Sequence, residues 1–368
     1  MEWKEDVLGN VLEVKYGKDH KKLADGQYPV YGSGGLMRYV DSILYDGPSI
    51  LIPRKGTLNN IMFVDSPFWT VDTMFWSIIN TDKVDPKFLF YSICKRDFAS
   101  MNVGSAVPSM TVNILNDIQI SYPKNISDQR RIASILSSLA RKIELNNKIN
   151  ADLEEMAQAI FKNWCVDFEP FKDSKFVDSE LGMIPEGWKV GGLFDIAEIF
   201  DKKRKPLSGN VREKMDKIYP YYGATSCMDY VDDYIFDGIY TLIGEDGSVV
   251  KENGLPYMQY VWGKMWVNNH AHILQGKNGY STEMIHALLS ITNIKFLVTG
   301  AVQAKLSQGN MQKILVAIPP KNVLDEIRPV IDNLYSKIRI NTDENSRLSL
   351  LRDTLLPRLM SGELEVPE

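Results

Sequence analysis

The feature that most constrains this chain is that it repeats itself once. Tyr28-Pro29-Val30-Tyr31-Gly32 returns 191 residues later as Tyr219-Pro220-Tyr221-Tyr222-Gly223. The same offset carries Tyr39-Val40-Asp41 onto Tyr230-Val231-Asp232, Tyr45-Asp46-Gly47 onto Phe236-Asp237-Gly238, and the apolar run ending at Gly56 onto the one ending at Gly247. Downstream the offset becomes 196, where Gly104-Ser105-Ala106-Val107-Pro108 meets Gly300-Ala301-Val302-Gln303-Ala304 and Tyr122-Pro123 meets Ile318-Pro319. Upstream, Trp3 and Leu8 match Trp188 and Leu193 at 185. A slow drift of this kind is what loop insertions produce, and 368 residues divide naturally into two units of ordinary domain size.

Between the markers lie short runs rich in Val, Ile, Tyr, Phe and Trp, punctuated by Gly, Pro, Asn and Asp, which read as strands and turns. Asp46-Gly47 and Asp237-Gly238 are expected at turns. Segments 84–100 and 281–298 carry helical spacing, so each unit is expected to be α+β, with strands predominating.

After each unit the pattern lengthens. Ile132, Leu136, Leu139, Ile143, Asn146, Asn150, Leu153, Ala157 and Ile160 alternate in steps of four and three, the spacing of a coiled-coil seam. Ile327, Ile331, Leu334, Ile338, Asn341, Asn345, Leu348, Arg352 and Leu355 repeat it at offset 195. Asparagines interrupt both seams at matching places, where a buried amide fixes register at some cost in stability. The alternative is that each helix covers only its own domain and the asparagines face water. Pro329 is expected close to the start of the second helix, where its missing N–H costs little. The expected organisation is a first globular domain over 1–126, a spacer helix over 127–166, a linker over 167–187, a second domain over 188–320, a second spacer helix over 321–361 and a tail over 362–368. The two helices are expected to run antiparallel between the two domains in a pseudo-twofold arrangement.

Several function classes drop out. The start of the chain lacks a signal peptide and nowhere are there 18 consecutive apolar residues, so a soluble cytoplasmic protein is expected. Cys94, Cys165 and Cys227 are too scattered for a zinc or disulfide framework and are expected to be buried hydrophobes. The amino-methylating signature is missing: Ser66-Pro67-Phe68-Trp69 has one proline too few, and Ile318-Pro319-Pro320-Lys321 lacks the leading polar group and the aromatic. Neither Asp46 with Pro53-Arg54-Lys55 nor Asp237 with Glu245 completes a nuclease's acidic pair and lysine, and no Walker loop is present. His270-Ala271-His272 places two imidazoles on one strand face, but no further ligands are evident and no metal site is expected.

Recognition chemistry remains. Lys15, Lys18, Lys21 and Lys22 in the first repeat correspond in place to Lys202, Lys203, Arg204 and Lys205 in the second, each cluster lying between the tryptophan and the Tyr-Pro marker. Phosphate contact is the natural role for paired basic clusters, with solvated surface as the alternative. The net charge of −5 counts mildly against DNA binding by the chain alone, so a DNA role needs local basic patches or a basic partner.

Two further segments carry a resemblance. The stretch Ala159-Ile160-Phe161-Lys162-Asn163-Trp164 to Asp167-Phe168, followed by Gly182-Met183-Ile184-Pro185-Glu186-Gly187-Trp188, resembles the central region of specificity subunits of type I restriction-modification enzymes. Leu355-Leu356-Pro357-Arg358-Leu359-Met360-Ser361-Gly362-Glu363 resembles their C-terminal region. The resemblance implies two target-recognition domains, each reading half of a split site on double-stranded DNA, joined by antiparallel helices that bind methyltransferase subunits, two of them expected. Endonuclease subunits would join the complex, and S-adenosylmethionine, ATP and magnesium would belong to the partners, leaving this chain non-catalytic. Candidate base-reading loops are Gly32-Ser33-Gly34, Arg54-Lys55, Ala224-Thr225-Ser226 and Glu245-Asp246, with ordinary turns as the alternative. A fused enzyme that cuts and methylates would need catalytic segments that the sequence lacks. A two-headed adaptor that ignores DNA stays open.

Overall fold

The computed structural model describes residues 1–104, 107–300 and 303–366. The repeat marker at Ser105, Ala106, Ala301 and Val302 lies outside them, as do the last two residues of the tail. The chain divides into two units, Met1–Leu145 with Glu344–Glu368 and Asn146–Asp343.

In the first unit an antiparallel sheet runs in the order Leu12–Tyr16, Met74–Ile79, Ser49–Pro53, Met62–Val64. Gly35–Val40, Tyr28–Gly32 and Trp69–Thr70 form a second sheet, its last pair parallel. Ser49–Pro53 is buried throughout: Ile50 and Ile52 face one core with Phe75 and Phe88, while Leu51 faces the other with Phe68 and Trp76. An unbroken apolar run can be a strand only when both faces are covered, which is the case here.

The second unit repeats this order as a single sheet: Ala197–Ile199, Ala271–Gly276, Phe236–Gly244, Met258–Val267, Tyr219–Tyr222, Cys227–Val231. Prolines account for the difference. Met258–Val267 is one ten-residue strand, whereas its counterpart is interrupted at Ser66-Pro67 into Met62–Val64 and Trp69–Thr70. Pro48 likewise delays its strand until Ser49, while Ile239 at the matching place lets Phe236–Gly244 start earlier. A proline cannot donate to a ladder, so pairing stops where the neighbouring strand needs that N–H. Asp237-Gly238, expected at a turn, therefore lies inside a strand, with Gly238 opposite Gly263.

In both units an outer strand pair leads into a long helix: Trp3–Val7 with Gln119–Pro123, and Lys189–Gly192 with Leu315–Ile318. The first helix, Ile126–Cys165, follows Asn125, whose side-chain oxygen accepts the Ser127 N–H at 2.9 Å. The second, Lys321–Met360, follows Pro319-Pro320. Pro329 is its ninth residue, not near its start as expected. The lost backbone bond costs about 3 kcal/mol. Burial of Leu324, Ile327, Ile331 and Tyr335 against the second unit's core offsets it.

The helices run antiparallel within each unit. In the first, Ile132 and Leu136 share a core with Leu356 and Leu359, and Lys142 reaches Glu344 at 3.2 Å. In the second, Ala157 and Phe161 share a core with Ile327 and Ile331. Residues 167–187 carry a hairpin, Phe176–Ser179 with Gly182–Pro185, and Phe168 and Phe171 pack edge-on against Trp188. Of the cysteines, Cys165 is buried and Cys94 half-buried. Cys227, expected inside, is exposed because it opens the edge strand of the sheet. Among the described residues no helix is long and apolar enough to cross a membrane.

Candidate nucleic-acid interface

In each unit four chain segments meet through the same backbone hydrogen bonds. Arg54 N–H donates to the Thr73 carbonyl at 2.8 Å, and Glu245 N–H to that of His270 at 2.9 Å. Met110 donates to Arg54 and Leu306 to Glu245; Gly56 donates to Pro108 and Gly247 to Ala304. Gly56 and Gly247 have φ of 88° and 74°, a conformation glycine adopts without strain. The basic segment joins the same junction: the Trp69 indole donates to the Lys18 carbonyl at 3.0 Å, and the Trp266 indole to that of Lys205 at 2.6 Å.

The side chains on this common frame differ. The first unit has Tyr16 edge-on to Phe75, with the Arg54 guanidinium 5.4 Å from the Tyr16 ring centre and donating to the Asp72 carbonyl. The second has a buried polar network in the corresponding space. Asp201 accepts from His272 Nδ1 at 2.5 Å, Gln308 at 2.7 Å and the Ile273 N–H at 3.1 Å. Arg204 donates to Glu245 at 2.6 Å and to the carbonyls of Ala271 and Asn269. Burial pushes the Asp201 carboxyl up, but the hydrogen bond and charge of His272, the Arg204 charge and the Gln308 amide outweigh it and hold it below the usual carboxylate range.

The sequence offered no further ligands around His270-Ala271-His272, yet the fold brings Asp201 and Glu245 to His272, with candidate ligand atoms all within 4.8 Å of one another. Residues 71 and 27 positions away in sequence had no local signal to announce them. Arg204, 3.3 Å from Asp201 and 2.6 Å from Glu245, and Lys305, 3.5 Å from Glu245, set two positive charges against those carboxylates. The arrangement works as an ion-pair network.

The remaining candidates separate by exposure. Lys18, Lys21, Lys22, Lys55, Lys202, Lys203 and Lys205 lie exposed. Lys15 pairs with Glu13, and Lys203 lies 5.0 Å over the Phe200 ring. Ser33 approaches the 54–56 loop: a Cβ on Gly56 would come within 3.0 Å of its hydroxyl. Thr225 and Ser226 sit in an exposed turn closed by Gly223 N–H to the Ser226 carbonyl at 2.9 Å. Arg204 and Glu245 are half-buried and bind each other. Asp246 instead meets His270, its Oδ1 at 2.5 Å from Nδ1. The sequence reading did not select His270 as a contact residue. The signal that could have found it is the substitution of Thr73 by histidine at a duplicated place.

Of the helix residues, Asn146, Asn341 and Asn345 are buried rather than facing water. Asn341 donates to Asn150 Oδ1 at 2.8 Å, and Asn150 donates to Thr342 at 3.1 Å. Ile132, Leu136, Ile327 and Ile331 are fully buried, whereas Leu139, Ile143, Leu153, Leu334, Ile338 and Leu348 are half-buried.

The model of the type I restriction modification DNA specificity domain matches this chain twice, over residues 1–155 and 185–350. The specificity subunit of type I restriction enzyme MjaIX from Methanocaldococcus jannaschii is 27% identical over 383 residues, covering 95% of this chain and 86% of that protein. The HindI specificity subunit of Haemophilus influenzae is 23% identical over 393 residues, covering 82% and 83%. The crystal structure of a type I restriction-modification S subunit from M. genitalium shares the fold, with a TM-score of 0.60 at 17% identity over 98% of this chain and 96% of that one.

Proposed function

The chain belongs to the family of type I restriction modification DNA specificity domains, and from that membership we propose that it reads a bipartite site on double-stranded DNA, one half-site per unit, without catalysing a reaction itself. The observation that carries this is the loop junction built twice on one set of backbone hydrogen bonds. A duplicated frame with divergent side chains suits two half-sites of different sequence, because phosphate contacts position a protein while base contacts specify. Lys15, Lys18, Lys21 and Lys22 in the first unit and Lys202, Lys203 and Lys205 in the second are the phosphate contacts. Ser33, Arg54, Lys55, Thr225, Ser226 and Asp246 stand where base edges would be met. Arg204 and Glu245 position the second junction from within.

The paired helices bind two methyltransferase subunits, and endonuclease subunits complete the cytoplasmic complex. S-adenosylmethionine, ATP and magnesium serve the partners. The net charge of −5 supports a clamp whose positive charge comes partly from those subunits. The test is to exchange residues 1–126 for the matching unit of a relative and sequence the methylated bases of a host carrying the full system. One half of the methylated site should change. Changes in both halves, or in neither, would refute the assignment.

A further inference from the structure

We infer that His270, held by Asp246, is the base-reading element of the second unit and meets a base bearing an exocyclic amino group, adenine or cytosine, in the major groove. The inference rests on the DNA-reading function proposed above. Its starting point is a comparison internal to the molecule. His270 and Asp246 occupy the places of Thr73 and Lys55, on loops joined in both units by the Arg54 to Thr73 and Glu245 to His270 backbone bonds. With the frame held constant, a change from lysine to aspartate and from threonine to histidine alters only what the surface offers. The changes from Tyr16 and Phe75 to Asp201 and His272 are explained by mutual pairing, ring against ring in the first unit and a buried His–Asp hydrogen bond in the second. The outward pair has no such duty: the His270 side chain is about half exposed, at 47%.

Geometry fixes what the pair presents. Asp246 Oδ1 lies 2.5 Å from His270 Nδ1. An ionised carboxylate only accepts, so Nδ1 carries the proton, and in the ring's neutral form Nε2 is the acceptor. Among the described residues no hydrogen bond reaches Nε2. A lone acceptor held at a fixed angle selects a donor, and in the major groove the donors are adenine N6 and cytosine N4. Lys55 in the first unit offers the opposite polarity, which suits guanine.

The pair also stands beside the phosphate-contacting loop. Arg204, within the 202–205 cluster, donates to the carbonyl of Asn269, the residue before His270. Asn268 Oδ1 accepts the His270 N–H at 2.8 Å and sets the turn. A base-reading group tied to a phosphate-contacting loop keeps its register on the duplex, as groove reading requires.

The experiment uses the full chain assembled with its modification subunits in a host, and reads the methylated sites of genomic DNA by sequencing. Variants are His270→Ala, Asp246→Asn and the double substitution Asp246→Lys with His270→Thr, which installs the first unit's pair. Each should relax or change one base pair in one half-site, with preference there falling about 5- to 150-fold, and leave the other half unchanged. An unaltered methylated site in all three variants overturns the inference. If methylation is lost, retention of the purified complex on DNA decides. Lost preference for the parental site with non-specific retention kept supports base reading, and loss of both in a protein that melts like the parent overturns it. Failure of the underlying function would look different, because the parental complex itself would then show no salt-dependent DNA retention.

Discussion

Arg204→Met is the sharpest test of how the second junction is built. The Arg204 side chain is 13% exposed, its guanidinium bonded to Glu245 at 2.6 Å and to the carbonyls of Ala271 and Asn269 at 2.7 and 3.2 Å. Methionine fills much of the same volume but leaves Glu245 and two carbonyls short of a donor, with Lys305 at 3.5 Å and His272 at 3.6 Å still facing the carboxylate. Removing one partner of a buried ion pair costs about 3–5 kcal/mol. Arg204→Met combined with Glu245→Gln should recover about 1–3 kcal/mol of that, the coupling between neighbouring groups. The loss should also depend on pH. Asp201 has a depressed folded-state pKa, held down by His272, Arg204 and Gln308 against its burial. Its contribution is therefore full above the unfolded value of about 3.9 and is lost as pH falls through the folded value. The gap between parent and Arg204→Met should be widest near neutrality and narrow below about pH 4, as Asp201 protonates. Urea unfolding, with amide exchange followed in strand 271–276, measures both effects. A loss below about 1 kcal/mol, or strict additivity in the double variant, would refute the network.

Other outcomes follow from separate parts of the structure. Asn150→Leu should destabilise the second unit by about 1–3 kcal/mol, because it strands the buried Asn341 amide, and adding Asn341→Leu should restore much of the loss in thermal melts. Cys227, exposed on its edge strand, should react with a thiol reagent far faster than Cys165, which is buried and pushed up to about 12, or Cys94, pushed up to about 11; equal rates would contradict the burial. Lys205→Ala should lower the slope of log affinity against log salt by about 0.9 without changing the methylated sequence, and an altered sequence would move Lys205 among the base readers.

Much of this was legible in the residues. Four markers at one offset announced a duplication, and the strand orders of the two units repeat each other. The three-and-four spacing located helices that the structure gives as Ile126–Cys165 and Lys321–Met360. The failures share a cause. Pro329 reads as a helix start because a proline inside a helix is locally unfavourable, and only burial of its neighbours against the second core makes it tolerable. Asp237-Gly238 reads as a turn because that dipeptide favours turns, yet its strand is set by pairing with Met258–Val267.

What the sequence by itself determined is whatever depends on spacing and composition: the repeat, the alternation of strand and long helix, the paired basic clusters and the missing catalytic motifs. Only the tertiary structure decided which polar groups face inward. Arg204 and Lys205 are neighbours of the same charge, and nothing local says that one is committed to Glu245, 41 residues on, while the other stays exposed. The same holds for His272 and His270, two residues apart on a strand, one buried against Asp201 and one half exposed beside Asp246. Their partners come from loops distant in the chain, and a buried charge is stabilised only by the groups that folding brings within hydrogen-bond reach.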